Sequence, residues 1–186
     1  MKKVLIFLVE DFEEIEAITV VDVMRRAGVQ CDMCSVSDEY VTGSHGITVK
    51  VDVIMDCVEA RDYDVVILPG GPGTENLRKN VRILEFVKDF YMSGRLTAAI
   101  CAAPAVFADA GIINGHKVTS YPSVQNELKN SIYLEELVVE DGNLLTSRGP
   151  ATSLPFSYAI LKHLGLEEEA EALKEGMMYN FLKENQ

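Results

Sequence analysis

One cysteine, Cys101, has the local sequence of an activated nucleophile. The apolar, strand-like run Leu96–Ile100 stops at Cys101, and an Ala-rich helical pattern with Pro104 at its start follows at once. Because proline is favoured in the first turn of a helix, the thiol is predicted in a tight strand-to-helix turn, near a helix end that favours negative charge. Such a position lowers the pKa of a thiol. The same pattern also fits a small cysteine packed at the end of a core strand, and these residues leave both interpretations open.

The turn after the first apolar run is acidic, and one of its carboxylates differs from the others. The favourable interaction of acids with a helix N-terminus accounts for Glu13 and Glu14. Glu16 lies between Ile15 and Ala17, where the predicted helix turns its apolar face inward. A carboxyl group buried there has a raised pKa and can stay protonated. It could then donate a hydrogen bond to a thiolate and act as a general acid and base.

A glycine-rich loop follows the fully apolar run Val65–Leu68. Gly70 and Gly71 allow backbone N–H groups to turn toward a ligand, as an oxyanion hole requires. No Lys-Ser/Thr pair follows as in a phosphate-binding P-loop, and the dinucleotide-binding fingerprint is absent from the sequence. An ordinary turn after a strand is the alternative interpretation of these glycines.

Apolar strand-like runs alternate with helical patterns along the chain. The strand-like runs are Val4–Val9, Gln30–Val36, Val65–Leu68, Leu96–Ile100 and Val118–Ser120, with Ile47–Val53 as an edge strand or hairpin and Leu137–Val139 with Leu144–Thr146 as a hairpin. Helical patterns cover Glu13–Ala27, Val81–Ser93, Ala103–Ala110, Ser153–Leu164 and Glu168–Phe181. This alternation predicts an α/β fold with a mostly parallel sheet covered on both faces. Ligands of such sheets bind beyond the carboxyl ends of the strands, so Glu10–Glu16, Pro69–Thr74 and Cys101 are predicted to share one rim.

Length and charge limit the possible functions. A chain of 186 residues fits one domain spanning residues 1–186. The net charge of −12 argues against nucleic-acid binding, which needs a basic surface. The apolar run Val4–Val9 is too short for a signal peptide or a membrane span. We interpret it as a buried strand of a cytoplasmic protein.

Two of the remaining cysteines are predicted to be structural. Cys31 and Cys34 fall in one strand, where residues three apart lie roughly 10 Å from each other and point to opposite faces, whereas a disulfide needs Cα atoms within about 7 Å. A zinc site would need further ligands, and the histidines are scattered without ligand spacing. No metal site and no disulfide framework are therefore expected among the four cysteines, which are Cys31, Cys34, Cys57 and Cys101.

Taken together, five motifs resemble the ThiJ/PfpI superfamily. They are Glu13–Glu16, Val21–Gly28, Leu68–Gly71, Ala99–Pro104 and Leu145–Ser153. The set is most similar to the branch that contains the parkinsonism-associated protein deglycase and bacterial ThiJ-type chaperones. The resemblance implies a flavodoxin-like three-layer sandwich of the class I glutamine amidotransferase type, usually a homodimer, that works without a cofactor.

The resemblance also implies a site with an easily oxidised cysteine held by a glutamate. Its residues are Cys101 and Glu16 as the catalytic pair, Gly70 and Gly71 as oxyanion-type backbone donors, and Ala102 and Arg148 at the pocket edge.

Several positions depart from the superfamily pattern. The protease branch has a histidine directly after the nucleophile, and because this residue is Ala102 here, protease activity is not expected. A histidine common in the deglycase branch is replaced by Tyr121. His45 stands where an arginine commonly reaches across the dimer, and Arg26 matches another such arginine. An anion site near Cys101, built partly by Arg26 and His45 of a second copy, is a further expectation.

Two functions of different classes fit this site. The first is a glyoxalase III or protein deglycase that acts through Cys101 on small 2-oxoaldehydes such as methylglyoxal or on glycated substrates. The second is a redox-sensing stress-response chaperone whose Cys101 oxidises to a sulfinate. The residues indicate no nucleic-acid partner and no membrane partner, and no residue argues for a thiazole substrate.

Overall fold

A seven-stranded sheet forms the centre of the computed structural model, which describes residues 2–185. The strands of the chain are β1 (Lys3–Phe7), β2 (Gln30–Ser35), β3 (Tyr40–Thr42), β4 (Thr48–Lys50), β5 (Val53–Ile54), β6 (Val65–Leu68), β7 (Leu96–Ile100), β8 (Lys117–Val118), β9 (Ile132–Tyr133), β10 (Val138–Asp141) and β11 (Leu144–Ser147). The sheet has the order β10-β11-β7-β6-β1-β2-β5. Its neighbouring strands are parallel except for the hairpin β10–β11.

Helices cover both faces of this sheet. They are α1 (Glu14–Arg26), α2 (Thr74–Lys79), α3 (Val81–Met92), α4 (Pro104–Asp109), α5 (Ser153–His163), α6 (Glu167–Gly176) and α7 (Tyr179–Glu184), with single 3₁₀ turns at Met55–Cys57, Ala60–Asp62, Pro122–Glu127 and Pro150–Thr152. Within residues 2–185, no helix combines the length and the apolar character needed to cross a membrane.

The alternation of side chains along the buried strands builds two hydrophobic cores. Val4 and Ile6 of β1 face the core shared with α1 and α5. Leu5 and Phe7 face the opposite core, shared with α3 and α4. Successive side chains of a strand point to opposite faces, so a continuous apolar run is what a strand covered on both faces requires. The predicted flavodoxin-like α/β fold is confirmed.

The structure differs from the predicted elements at three places. The run 47–53 divides, because β4 forms an antiparallel hairpin with β3 while β5 joins the sheet edge beside β2. Strand β8 pairs with β9 in a small separate sheet and does not extend the central one. The predicted helix 168–181 is broken at Met178, whose left-handed φ of 60° interrupts helical geometry.

The three predicted rim features lie next to one another. They follow β1, β6 and β7, which are consecutive strands of the sheet. The Glu13 amide donates to the Gly70 carbonyl at 3.0 Å, and the Gly73 amide donates to the Asp11 carbonyl at 2.9 Å. Backbone hydrogen bonds alone therefore join the acidic turn to the glycine loop.

Candidate active site

Cys101 occupies a strained turn between β7 and α4. Its φ of +65° lies in the left-handed region, which costs a non-glycine residue about 1–3 kcal/mol. Hydrogen bonds on both sides hold the residue there: its amide donates to the Ser147 carbonyl at 3.0 Å, and its carbonyl accepts from the Tyr121 amide at 2.8 Å. The side chain is 9% exposed. The predicted strand-to-helix turn is therefore present, with Pro104 as the first residue of α4.

Glu16 reaches this turn from the buried face of α1. Its side chain is fully buried, and Oε2 accepts a hydrogen bond from the Gly70 amide at 2.8 Å. The other oxygen, Oε1, is buried and has no hydrogen-bond partner among residues 2–185. Burial raises the pKa of Glu16 to about 7, although its interactions with the Cys101 thiol and the Gly70 amide act in the lowering direction. The carboxyl group can therefore both hold and release a proton near neutral pH.

The thiol of Cys101 does not have the low pKa that the sequence predicts. Burial raises the pKa of Cys101, and the proximity of the Glu16 carboxyl group raises it further. The amides of Ala102 and Gly71 act in the opposite direction. Because an ionised Glu16 opposes a second negative charge beside it, the thiolate is favoured when the proton resides on Glu16. The two groups thus titrate as a pair.

The glycine loop divides its amides between the two members of this pair. Gly70 donates to Glu16, so its amide is not free to serve an oxyanion as the sequence predicts. The amides that stabilise negative charge at Cys101 are those of Gly71 and Ala102. Gly71 and Ala102 thus lie beside Cys101, and their predicted roles at the site stay predictions.

Neither Gly70 nor Gly71 has room for a side chain. A Cβ atom on Gly70 would lie 2.7 Å from Cys101 Cβ and 2.8 Å from Glu16 Oε2. A Cβ atom on Gly71 would lie 2.6 Å from the Glu13 amide nitrogen, and its φ of +93° also disfavours a side chain. Any larger residue at 70 would push Cys101 and Glu16 apart.

The thiol opens into a cavity of about 330 Å³ between α2, the turn of Cys101 and the 3₁₀ segment 122–127. Its lining includes Thr74 and Arg78 of α2 and, on the opposite side, Tyr121 and Val124. The mostly apolar walls suit a small organic molecule, and Cys101 brings a thiol to them.

A comparison with protein families gives a match over residues 2–163 to the DJ-1/PfpI family. This chain belongs to the DJ-1/PfpI family. It is 36% identical over 181 residues to Protein dj-1beta of Drosophila melanogaster, covering 95% of this chain and 97% of that protein. It is also 33% identical over 151 residues to Deglycase PH1704 of Pyrococcus horikoshii, covering 80% of this chain and 91% of the archaeal protein.

Solved structures of the DJ-1/PfpI family have the same fold. The crystal structure of Drosophila melanogaster DJ-1beta superposes with a TM-score of 0.91 at 36% identity, covering 95% of this chain and 97% of that one. The oxidized DJ-1 of Toxoplasma gondii also gives a TM-score of 0.91 at 32% identity, covering 96% of this chain and 98% of that one.

Within this family fold, Arg26 and His45 lie away from their own Cys101 cavity. Arg26 is at the last turn of α1, ten positions from Glu16, and its Nε donates to Asp22 at 2.6 Å. His45 Nδ1 lies 2.7 Å from Glu14 Oε2, and this hydrogen bond raises the pKa of His45. Neither residue lines the cavity, so any role at a Cys101 depends on a second copy.

Sequence reasoning missed the ion-pair network at the cavity wall. Arg78 bonds to three carboxylates, those of Glu75, Asp109 and Glu127, at 3.1, 2.6 and 2.7 Å. It connects α2 to α4 and to the end of the 3₁₀ segment. The short helix α2 was not among the predicted elements, and a pattern of charges across three separate segments gives no local signal.

Arg148 lies beside the Cys101 cavity but does not line it. It lines a second pocket together with Tyr121, which contributes to both. The predicted pocket-edge position therefore corresponds to a neighbouring chamber.

Cys31 and Cys34 have the environments that the sequence predicts. Cys31 and Cys34 are buried in opposite cores, and burial raises the pKa of each to about 12. Cys57 is exposed, and all four cysteines are free thiols.

Proposed function

We propose that this DJ-1/PfpI chain is a cofactor-independent enzyme of the glyoxalase III or deglycase type that acts on small 2-oxoaldehydes such as methylglyoxal. The observation that carries the proposal is the fully buried Glu16, with a pKa of about 7, beside a cysteine that opens into a cavity. A group that exchanges protons near neutral pH beside a nucleophile is what isomerisation next to a carbonyl requires.

The proposed chemistry begins with the coupled pair. Glu16 takes the thiol proton, and the thiolate sulfur of Cys101 bonds to the aldehyde carbon. The resulting oxyanion accepts hydrogen bonds from the amides of Gly71 and Ala102, and a proton then gives a hemithioacetal. Each step uses groups within the site.

Glu16 then moves a proton between adjacent carbons. It removes the hydrogen from the former aldehyde carbon and a proton is returned at the neighbouring carbon, so an enediol-type intermediate becomes a 2-hydroxy thioester. Water cleaves the sulfur–carbon bond, releasing a 2-hydroxy acid and the thiol. The sum is one 2-oxoaldehyde and one water converted to one 2-hydroxy acid, without an external oxidant.

The names of relatives support an enzymatic reading of the site. PH1704 is called a deglycase and aligns with most of this chain. An adduct between a 2-oxoaldehyde and an amine or thiol presents the same carbon skeleton to Cys101. We include such adducts in the proposed substrate class, and we propose that the enzyme acts in the cytoplasm.

The decisive experiment measures lactate formed from methylglyoxal. Wild-type protein should convert it, while Cys101→Ser and Glu16→Gln should each lose at least about a hundredfold in kcat/KM. Cys57→Ser is the matched control, because that cysteine is exposed and does not line the cavity. Turnover that survives in Cys101→Ser would refute the proposal.

A redox-sensing stress-response chaperone is the second candidate. A structural relative with the same fold has been determined in an oxidized state, and Glu16 beside Cys101 could donate a hydrogen bond to a sulfinate oxygen. This function predicts chaperone activity that depends on oxidation of Cys101 and does not require turnover of an aldehyde.

A further inference from the structure

Arg148 carries a buried guanidinium nitrogen that the protein does not satisfy. Its Nη1 has no hydrogen-bond partner among residues 2–185. Leaving a buried charged donor unpaired is costly, so such a group marks a place where a ligand can supply the partner. By contrast, the guanidinium of Arg78 is bonded to carboxylates, and so is that of Arg26.

The pocket around Arg148 has room for a ligand. Its volume is about 330 Å³, and its walls are largely apolar, with Tyr121, Pro122, Leu137 and Pro150 among them. One unpaired cation in an apolar chamber is suited to an anionic group on a hydrophobic stem. A guanidinium pairs best with a carboxylate or phosphate, which it can bind through two parallel hydrogen bonds.

This chamber adjoins the Cys101 cavity through Tyr121. The Tyr121 side chain lines both spaces, and its amide donates to the Cys101 carbonyl at 2.8 Å. From the other side, the Cys101 amide donates to the carbonyl of Ser147, the residue before Arg148. Ser147 and Ile100 are register partners on neighbouring strands about 4.8 Å apart. The Cys101 turn and Arg148 therefore follow adjacent strand ends, within the span of one elongated molecule.

The charges around the two spaces favour one orientation of an anionic ligand. On the α2 side of the cavity, Arg78 is surrounded by the three carboxylates of Glu75, Asp109 and Glu127, and the exposed Lys79 lies 3.9 Å from Glu75. That side is net negative and repels an anion. The Arg148 side attracts it, so the anionic end is directed there and the carbonyl end is left at Cys101.

We propose that Arg148 and its apolar pocket form a specificity subsite for 2-oxoaldehydes or their adducts that carry a carboxylate on a hydrophobic stem. The substrate class rests on the proposed function, whereas anion recognition beside the thiol does not. The subsite would make a carboxylated arylglyoxal a better substrate than its neutral analogue.

The first test uses alkylation of Cys101 and does not depend on turnover. Two reagents are compared, 4-(bromomethyl)benzoate and the neutral 4-(bromomethyl)benzamide; in each, the thiolate displaces bromide to form a carbon–sulfur bond. Modification is followed by mass spectrometry of the Cys101 peptide. Arg148→Met should slow the benzoate reaction at least about tenfold and change the benzamide reaction less than about twofold.

Two variants test whether charge and position are responsible. Arg148→Lys keeps the charge and should restore part of the benzoate preference. Arg82→Met removes a half-exposed arginine of α3 that pairs with Asp56 and should leave both rates unchanged. Equal slowing of both reagents, or the same benzoate loss in Arg82→Met, overturns the proposal. Circular dichroism of Arg148→Met establishes that the variant is folded before the rates are compared.

The second test measures turnover of 4-carboxyphenylglyoxal against phenylglyoxal. In Arg148→Met, KM for the carboxylated compound should rise at least about tenfold while kcat and the kinetics with phenylglyoxal stay within about twofold. If wild-type protein turns over neither compound but retains the benzoate preference, the proposed function fails and the anion subsite stands. If both compounds are turned over and Arg148→Met affects them equally, the subsite fails and the enzyme stands.

Discussion

At the scale of single residues, Cys101 and Glu16 hold two acidic groups in one buried space. Glu16 has a pKa of about 7, and its charge raises the pKa of Cys101. Loss of one proton from the pair is therefore easy near neutral pH, while loss of the second is opposed by burial and by like charge. Reactivity of the thiol depends on where the remaining proton resides.

The pH dependence of Cys101 alkylation should report this pair. In wild-type protein, the rate with iodoacetamide should rise through about pH 7, because the first deprotonation gives access to the form with a thiolate and a protonated Glu16. In Glu16→Gln the proton acceptor is lost, and the rise should move to the pH range of an ordinary or higher thiol pKa. An unchanged profile in Glu16→Gln would show that the two groups are not coupled.

Glu16 should also make stability fall as pH rises. Its pKa is 4.5 in the unfolded chain and about 7 in the folded one, so its favourable contribution is complete below about pH 4.5 and is lost as pH rises through 7. The full change is about 3 kcal/mol. Relative to wild type, Glu16→Gln should therefore gain about that amount in unfolding free energy between pH 4.5 and 8.5, as measured by urea denaturation.

Glu14→Gln is the matched control for this experiment. Hydrogen bonds from His45 lower the pKa of Glu14 to about 2 despite the opposing effect of burial. Its stabilising contribution is present above pH 4.5 and is lost toward pH 2, the opposite window. A difference between wild type and Glu16→Gln that is the same at both pH values would contradict the assigned pKa of Glu16.

The sequence predicted correctly the properties of Cys101 and Glu16 that depend on neighbouring residues in the chain, and it failed for those that depend on tertiary packing. Glu16 was identifiable because it lies where the helical pattern of α1 turns its apolar face inward, and it is buried although the preceding Ile15 is 56% exposed. The pKa of Cys101 was predicted in the wrong direction, because the depth of burial and the charge of Glu16 are properties of packing. The hydrogen bond from the Gly70 amide to Glu16 was also not predictable, because it joins two residues that are 54 positions apart in the sequence.

At the scale of elements, three adjacent parallel strands assemble the site. The acidic turn, the glycine loop and the Cys101 turn follow β1, β6 and β7. Continuous apolar runs made these strands predictable. The sequence did not predict the short helix α2 or the separate β8–β9 sheet, because each is too short to show a hydrophobic periodicity. It also did not predict the break at Met178, because the residue with the left-handed φ is a methionine and not a glycine.

Gly70→Ala tests how closely these elements must approach. The added methyl group would lie within 3 Å of both Cys101 Cβ and Glu16 Oε2, so the pair must separate. We expect Cys101 alkylation near pH 7 to slow at least about tenfold, since the proton transfer depends on contact. Gly176→Ala is the control, because no atom lies within 4 Å of a Cβ there and a helical alanine is favoured. A wild-type rate in Gly70→Ala would show that the close contact is not required.

At the scale of the whole molecule, the four cysteines differ in how oxidation can reach them. Burial raises the pKa of Cys31 and Cys34 to about 12 and disfavours their thiolates. Cys57 is exposed and is the real competitor of Cys101. With mild peroxide, Cys101 should gain oxygen first, because Glu16 can hold its proton and nearby amides stabilise the anion. Peptide mass mapping over time tests the order, and earlier modification of Cys57 in wild type would contradict it.

Two exposed isoleucines lie on the surface near the segments that form the site. Ile15 of α1 is 56% exposed and Ile47, before β4, is 54% exposed. Their neighbours Glu14 and His45 are bonded to each other, so helix and hairpin present one joined surface. A symmetric contact would place this surface against its own copy. The proposed homodimer would use it, and Arg26 and His45 of one copy would then approach the Cys101 pocket of the other.

Sedimentation at micromolar concentration should therefore show a species of twice 20.6 kDa. Ile15→Glu should shift it toward the monomer, because two charges would be buried at a symmetric interface without partners. Ile132→Glu is the control, since Ile132 is similarly exposed, at 51%, on the separate β8–β9 sheet. In the dimer, Arg26→Ala should weaken anion binding near Cys101 without unfolding the chain. A stable monomer with full Cys101 reactivity, or equal effects of the two isoleucine substitutions, would contradict this assembly.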